Sequence, residues 1–287
     1  MLKLREGIVE LYRKVATSLP SDVEEALKTA LANETGPLAK DSLEIILKNI
    51  SIARTTVRPI CQDTGFPVFF VKAPTGVSHQ LLREIITEAT RIATKKIPLR
   101  ANAVDIVTEK NSGDNTGELF PMIYMDSTTE QTLTVDLILK GGGSENLGQM
   151  YKLPMALDIE GVGQVTAERD LEGVRKCVLD AVHKAQGKGC PPYTVTVAVG
   201  GAKDQVTTLS KVQFLRRLTD TNPDPTLAAL ETRLLADING LGIGVAGFGG
   251  RTTALGVKIG AAHRHPASYF VDVSFSCWAN RKGRLMW

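Results

Sequence analysis

The chain has 287 residues, enough for one large domain or two small ones with a self-supporting core. It is 43% hydrophobic and 23% charged, and its 34 basic and 31 acidic residues leave a net charge of +3, an ordinary globular composition with no excess directed at nucleic acid. The opening MLKLREGIVELYRKV lacks an apolar signal core and no window reaches ~18 apolar residues, so no membrane span is expected and the cytoplasm is the default location.

The first third predicts helices, and residues 1–57 form a candidate helical subregion. REGIVELYRKVATSL places Ile8, Leu11, Tyr12, Val15 and Leu19 at helical spacing. SDVEEALKTALANE pairs Ser21 as N-cap with Glu24 three residues on, and PLAKDSLEIILKNISIARTTV repeats the pattern through Leu43, Ile46, Leu47 and Ile50. The turn ICQDTGF then leads into a strand, PVFFVKA, with Pro67 at its first position, where a missing N–H is tolerated. HQLLREIITEATRIATKK is a further helix.

From residue 100 the texture changes. ELFPMIYMD and TLTVDLILKGGG read as strands, DLEGVRKCVLDAVHKAQGKG as a helix ending at glycines, and YTVTVAVGG as a strand. KVQFLRRLTD and PTLAALETRLLADING read as helices, ALGVKIGAAHR and SYFVDVSFSC as late strands. The class is mixed α/β, with α+β as its variant, and no repeat or low-complexity linker divides residues 1–287.

The four cysteines lie far apart, which disfavours a disulfide framework and leaves metal binding, catalysis or burial. Cys177 shares a helical stripe with Val174, Val178, Ala181 and Val182 and reads as core. Cys61, Cys190 and Cys277 each sit in a loop or at an element end. Cys190, in GKGCPP, precedes a proline, a context found in iron–sulfur ligation. Three unrelated thiols remain a reading on spacing alone, since no CxxC pair is present, and zinc with His263 or His265 as fourth ligand is another.

Other groups suit an anionic substrate. Three glycines after a strand, Gly141, Gly142 and Gly143, offer unhindered N–H groups or simply a flexible turn. Arg100 carries a planar fork that matches a carboxylate. His263 and His265 alternate on an extended segment and so face opposite ways, whereas His183 falls on the exposed side of the Cys177 helix. Gly242, Gly244 and Gly247 spell G-x-G-x-x-G, but a helical segment precedes them where the dinucleotide fingerprint needs a strand, so close backbone packing is the expected use.

Taken together, RPICQDTGFPVFF, IPLRANAVD, LKGGGSEN, GKGCPP, AAHRHPA and FSCWANRKGR resemble the iron–sulfur hydro-lyases of the class I fumarase and tartrate dehydratase family, from about residue 5 to the C-terminus, in the α region of those enzymes. The resemblance implies a [4Fe-4S] cluster on Cys61, Cys190 and Cys277, and substrate contacts from Gln62, Asp63, Arg100, the turn around Gly142 and Gly143, and His265. Asp63 and His265 are the catalytic candidates. The implied reaction adds or removes water across the double bond of a dicarboxylate, fumarate and malate first and tartrate as the alternative. Single-chain family members continue into a second domain that carries further substrate groups and the carbon base. The chain is therefore expected to be an α subunit that needs a β subunit, in an α2β2 assembly. A cluster-binding sensor or assembly module is the non-enzymatic reading, against which the set of Asp, Arg and His groups argues.

Overall fold

The computed structural model describes residues 2–159 and 161–287, and the fold divides into two compact units. The first comprises Met1–Pro20, Lys48–Gly142 and Ala279–Trp287, the second Ser21–Leu47 and Gly143–Trp278. The chain opens with helices α1 (Leu2–Thr17), α2 (Ser21–Asn33) and α3 (Pro37–Thr56), as their periodicity predicts. Ser21 is the first helical residue of α2 rather than the residue before it. No helix among the described residues is long and apolar enough to cross a membrane.

In the first unit, strands β1 (Phe66–Pro74), β2 (Met122–Thr128) and β3 (Thr134–Lys140) join a C-terminal strand, Lys282–Met286, numbered β10 below, in the order β10-β3-β1-β2. β1 runs parallel to β2 and antiparallel to β3. Helix α4 (His79–Lys96) starts at the N-cap Ser78, whose hydroxyl accepts the Leu81 amide. The core joins Phe69, Val71, Leu137 and Leu139 to Ile8, Tyr12, Ile86 and Ala89. Tyr12 meets Phe69 edge to face and satisfies its buried hydroxyl on Thr90 at 2.8 Å.

Pro67 is the second residue of its strand rather than the first, and the strand is paired on both sides. It is tolerated because parallel pairing to β2 begins only at Val68, and its β3 partner Leu139 sends its own N–H to the carbonyl of Arg281.

The second unit continues through a short helix α5 (Gly142–Glu145), β4 (Gln149–Lys152), the hairpin β5 (Met155–Ile159) and β6 (Gly163–Ala167), and α6 (Leu171–Ala185). After these come β7 (Tyr193–Val199), α7 (Lys203–Gln213), α8 (Pro225–Gly240), β8 (Ala254–Ala261) and β9 (Phe270–Ser276). The sheet order is β4-β9-β7-β8, with β7 and β8 parallel. Asp170 caps α6 and Asp224 caps α8 ahead of Pro225. Cys177 is fully buried with Val174, Val178, Val195, Val273 and Phe275, in the core position that its stripe predicts.

One expected helix is displaced. α7 ends at Gln213, and 214–220 form turns although their apolar spacing is helix-like. The Arg216 guanidinium holds that segment open, donating to Asp220, to Glu231 and to the carbonyl of Ile259.

Candidate functional site

In the first unit, the turn before β1 is built from its own side chains. Cys61 and Asp63 are half-buried, Gln62 is exposed, and Thr64 and Gly65 are buried. Gly65 adopts φ +80, and a Cβ there would stand 2.7 Å from the carbonyl carbon of Leu139, so this position admits no side chain. The Asp63 carboxylate accepts the Gly65 amide at 3.0 Å through one oxygen and the Gly142 amide at 2.9 Å through the other.

The same turn collects Arg100. The Thr64 hydroxyl accepts the Arg100 amide at 3.0 Å, and Asn115 donates to the Arg100 carbonyl at 2.8 Å. Asn102 donates to the Gly65 carbonyl at 2.9 Å, while its amide is received by Asn115. The backbone of Arg100 is thereby fixed and its side chain remains exposed, the arrangement that a carboxylate-binding arm needs.

The glycine turn differs from an open cradle of three amides. Gly142 and Gly143 begin α5, and the Gly142 N–H is already engaged by Asp63. Added Cβ atoms at Gly142 or Gly143 would meet nothing within 4 Å, so neither glycine is there for close packing. The buried Lys140 donates to the Gly141 carbonyl at 3.3 Å.

In the second unit, Cys190 and Cys277 are brought together. The Trp278 amide donates to the Cys190 carbonyl at 3.1 Å, which sets the end of β9 beside the Cys190 loop. Cys190 is exposed and has φ +57, a left-handed conformation that aims a non-glycine side chain out of a tight turn. Tyr193 braces this loop, donating to the Gln186 carbonyl at 2.7 Å and accepting the Gly189 amide at 3.1 Å. Burial pushes its phenol up to about 12, and the nearby Cys190 and Cys277 add to the rise against the Gly189 hydrogen bond.

Behind the loop lies the glycine segment 240–250. Gly187 and Gly247 approach so closely that a Cβ on Gly187 would sit 2.8 Å from the Gly247 Cα, and the Ala246 amide donates to the Pro191 carbonyl at 2.9 Å. The G-x-G-x-x-G string follows α8; Gly247 serves this packing and Gly244 lies against Gly249, whereas a Cβ on Gly242 would meet nothing within 4 Å. Tyr193 is not legible from the sequence as a brace because it looks like any strand aromatic. Gly187 and Gly247 give a signal as glycines, but not as a pair.

His263 and His265 lie in the loop after β8, both exposed, rather than in an extended strand. The His265 Nδ1 accepts the Ala267 amide at 3.1 Å. His263, not His265, lines a cavity of about 530 Å³ in this unit, together with Val199, Gly200, Ala261, Arg264 and Tyr269. His183 is half-buried on α6.

None of the four cysteines is in a disulfide, and Cys61, Cys190 and Cys277 all retain some exposure while Cys177 has none. Among the described residues, no three or more His, Cys, Asp or Glu side chains form a group that could hold a metal ion. Thiols are the donors that an iron–sulfur cluster takes, and within the second unit the Cys190 and Cys277 segments already meet.

A family model described as fumarate hydratase (fumerase) matches residues 5–286. The chain belongs to this fumarate hydratase family. It is 45% identical over 283 residues to a Geobacillus stearothermophilus protein with the provisional name class I fumarate hydratase, covering 98% of this chain and 54% of that protein. It is 36% identical over 286 residues to a Methanocaldococcus jannaschii protein provisionally named L(+)-tartrate dehydratase subunit alpha, covering 98% and 96% respectively. The Escherichia coli K12 L(+)-tartrate dehydratase subunit alpha is 35% identical over 288 residues, covering 99% and 90%. This fumarate hydratase family chain thus spans about half the length of the first relative and nearly all of the other two.

Proposed function

We propose that the chain is the α subunit of a two-subunit class I fumarate hydratase, which interconverts fumarate and (S)-malate with a β subunit in a cytoplasmic α2β2 assembly. The observation that carries this reading is the meeting of three sequence-distant motifs at one turn: Asp63 of CQDTG bonds Gly142 of KGGG, and Thr64 bonds Arg100 of PLRAN. Gln62 and Arg100 are both exposed on this framework.

Cys61, Cys190 and Cys277 would hold a [4Fe-4S] cluster, which when bound supplies a Lewis-acidic iron with an open position for a hydroxyl and a carboxylate. The chain's own groups bind the substrate and handle the proton on oxygen. Arg100 and Gln62 donate to substrate carboxylates, the first through a charged fork and the second through a neutral amide. The Gly143 amide is the glycine-turn donor for developing negative charge, Gly142 being engaged by Asp63. Asp63 and His265 move the proton on oxygen, and the carbon base comes from the β subunit.

L(+)-tartrate dehydratase is the second reading, favoured by the near-complete coverage of two relatives named as alpha subunits of that enzyme. The test is to assay the chain, anaerobically reconstituted and paired with its β subunit, on fumarate, malate and tartrate. Faster turnover of fumarate and malate supports the first reading, and faster turnover of tartrate replaces it with the second. Full-rate hydration by the α chain alone would overturn the split site.

A further inference from the structure

Arg281 immediately precedes β10, and at 2% exposure it is the largest fully buried side chain among the described residues. Among the described residues no carboxylate forms an ion pair with it, and its Nε has no hydrogen-bond partner. A buried guanidinium left in this state is unfavourable, and an apolar residue of similar volume would fill the space at lower cost. What only a donor can do there is bond a carbonyl. Arg281 Nη1 donates to the Asp63 carbonyl at 2.7 Å, while its own carbonyl accepts the Leu139 amide at 3.0 Å.

We propose that Arg281 is a positioning residue that fixes the Cys61–Gly65 turn. Its main chain is tied to β3 and its side chain to the turn, so Asp63 is held at three points: the carbonyl by Arg281, one carboxylate oxygen by Gly65 and the other by Gly142. Gly65 closes the same junction, since only a residue without Cβ can lie against Leu139, the residue bonded to Arg281. The catalytic consequence rests on the hydratase reading above. A loosened turn moves Asp63 and Gln62, and through Thr64 it moves Arg100.

The test is amide hydrogen exchange on the full chain carrying Arg281→Met, with Arg281→Lys as the charge-retaining variant. The Gly65 and Gly142 amides, both held by Asp63, are expected to exchange at least about tenfold faster in the Met variant, while the β1 and β3 ladder amides change little. Arg281→Lys should recover part of that protection, and it carries the same comparison if the Met variant does not fold. Unchanged exchange at Gly65 and Gly142, or a rise matched by the ladder amides, overturns the proposal, because both are what a mere space-filling role predicts. In the enzyme paired with its β subunit, the Met variant should lose at least about tenfold in kcat and also raise KM, because Asp63 and the carboxylate-binding Gln62 and Arg100 shift with the turn. If the wild type shows no turnover, the hydratase reading fails and the exchange comparison still decides the role of Arg281.

Discussion

The Asp63 carboxylate bridges two backbone amides, that of Gly65 two residues ahead and that of Gly142 seventy-nine residues ahead. This pairing locks the turn before β1 to the turn after β3, and it leaves one side chain with both a structural and a proposed chemical duty. The two duties separate by mutation.

Asp63→Asn retains one oxygen, so one of the two amides must face an NH2 group instead of an acceptor. The expected cost is about 1–3 kcal/mol of stability, read from denaturant unfolding. Turnover should fall further, by about a hundredfold or more, because an amide cannot exchange the proton. A variant that loses stability but keeps kcat would remove Asp63 from the proton path.

Gly65→Ala combines φ +80 with a contact against the Leu139 backbone that cannot relax by a side-chain rotation. Destabilisation of about 2 kcal/mol or more is expected, as for other strained backbone positions. Gly143→Ala should be near neutral in the same unfolding measurement, since its added Cβ meets nothing within 4 Å.

Arg100→Lys keeps the charge and the backbone bonds to Thr64 and Asn115 but removes the planar fork. Steady-state kinetics should show KM rising about tenfold with kcat little altered, the pattern of lost uniform binding. An equal fall in kcat and kcat/KM would place Arg100 in the transition state instead.

Much of this turn is legible in the sequence because its chemistry is local: Asp, Thr and Gly in a row announce a turn, and an added cysteine has no structural use there. The helices α1 to α4, α6 and α8 are likewise legible, since each buries a stripe of regular period. The partners are not. Nothing local marks Gly142 as the amide for Asp63, or Arg281 as the donor to its carbonyl, because both bonds join residues far apart in the chain. β10 escapes for another reason. RKGRLM is too polar to alternate like a half-buried strand, and it is held at the sheet edge partly by the Arg284 fork on Asp136, at 2.7 and 2.9 Å. The Arg216 turn misleads in the opposite direction, its apolar residues keeping helical spacing while its charges close a different structure.

Cys177 provides a pH test. Burial, with Asp180 adding and Lys184 opposing, pushes its thiol from 9.0 up to about 12. The folded state therefore keeps its proton where the unfolded chain loses it. The contribution to stability is full below pH 9 and is lost as pH rises from 9 towards 12. At mildly alkaline pH, iodoacetamide should label the exposed Cys190 in the native chain and reach Cys177 only after unfolding. Native labelling of Cys177 at a rate like that of Cys190 would contradict its burial.

The proposed division of labour gives three of the four cysteines to a cluster and the fourth to the core. It is tested most directly by anaerobic reconstitution with iron and sulfide, followed by visible absorption and metal counting, on the wild type and on each Cys→Ser variant. Equal amounts of bound iron and sulfide are expected in the wild type and in Cys177→Ser, with marked loss in Cys61→Ser, Cys190→Ser and Cys277→Ser. Zinc or no metal in the wild type, or a cluster retained without Cys61, Cys190 or Cys277, would contradict it.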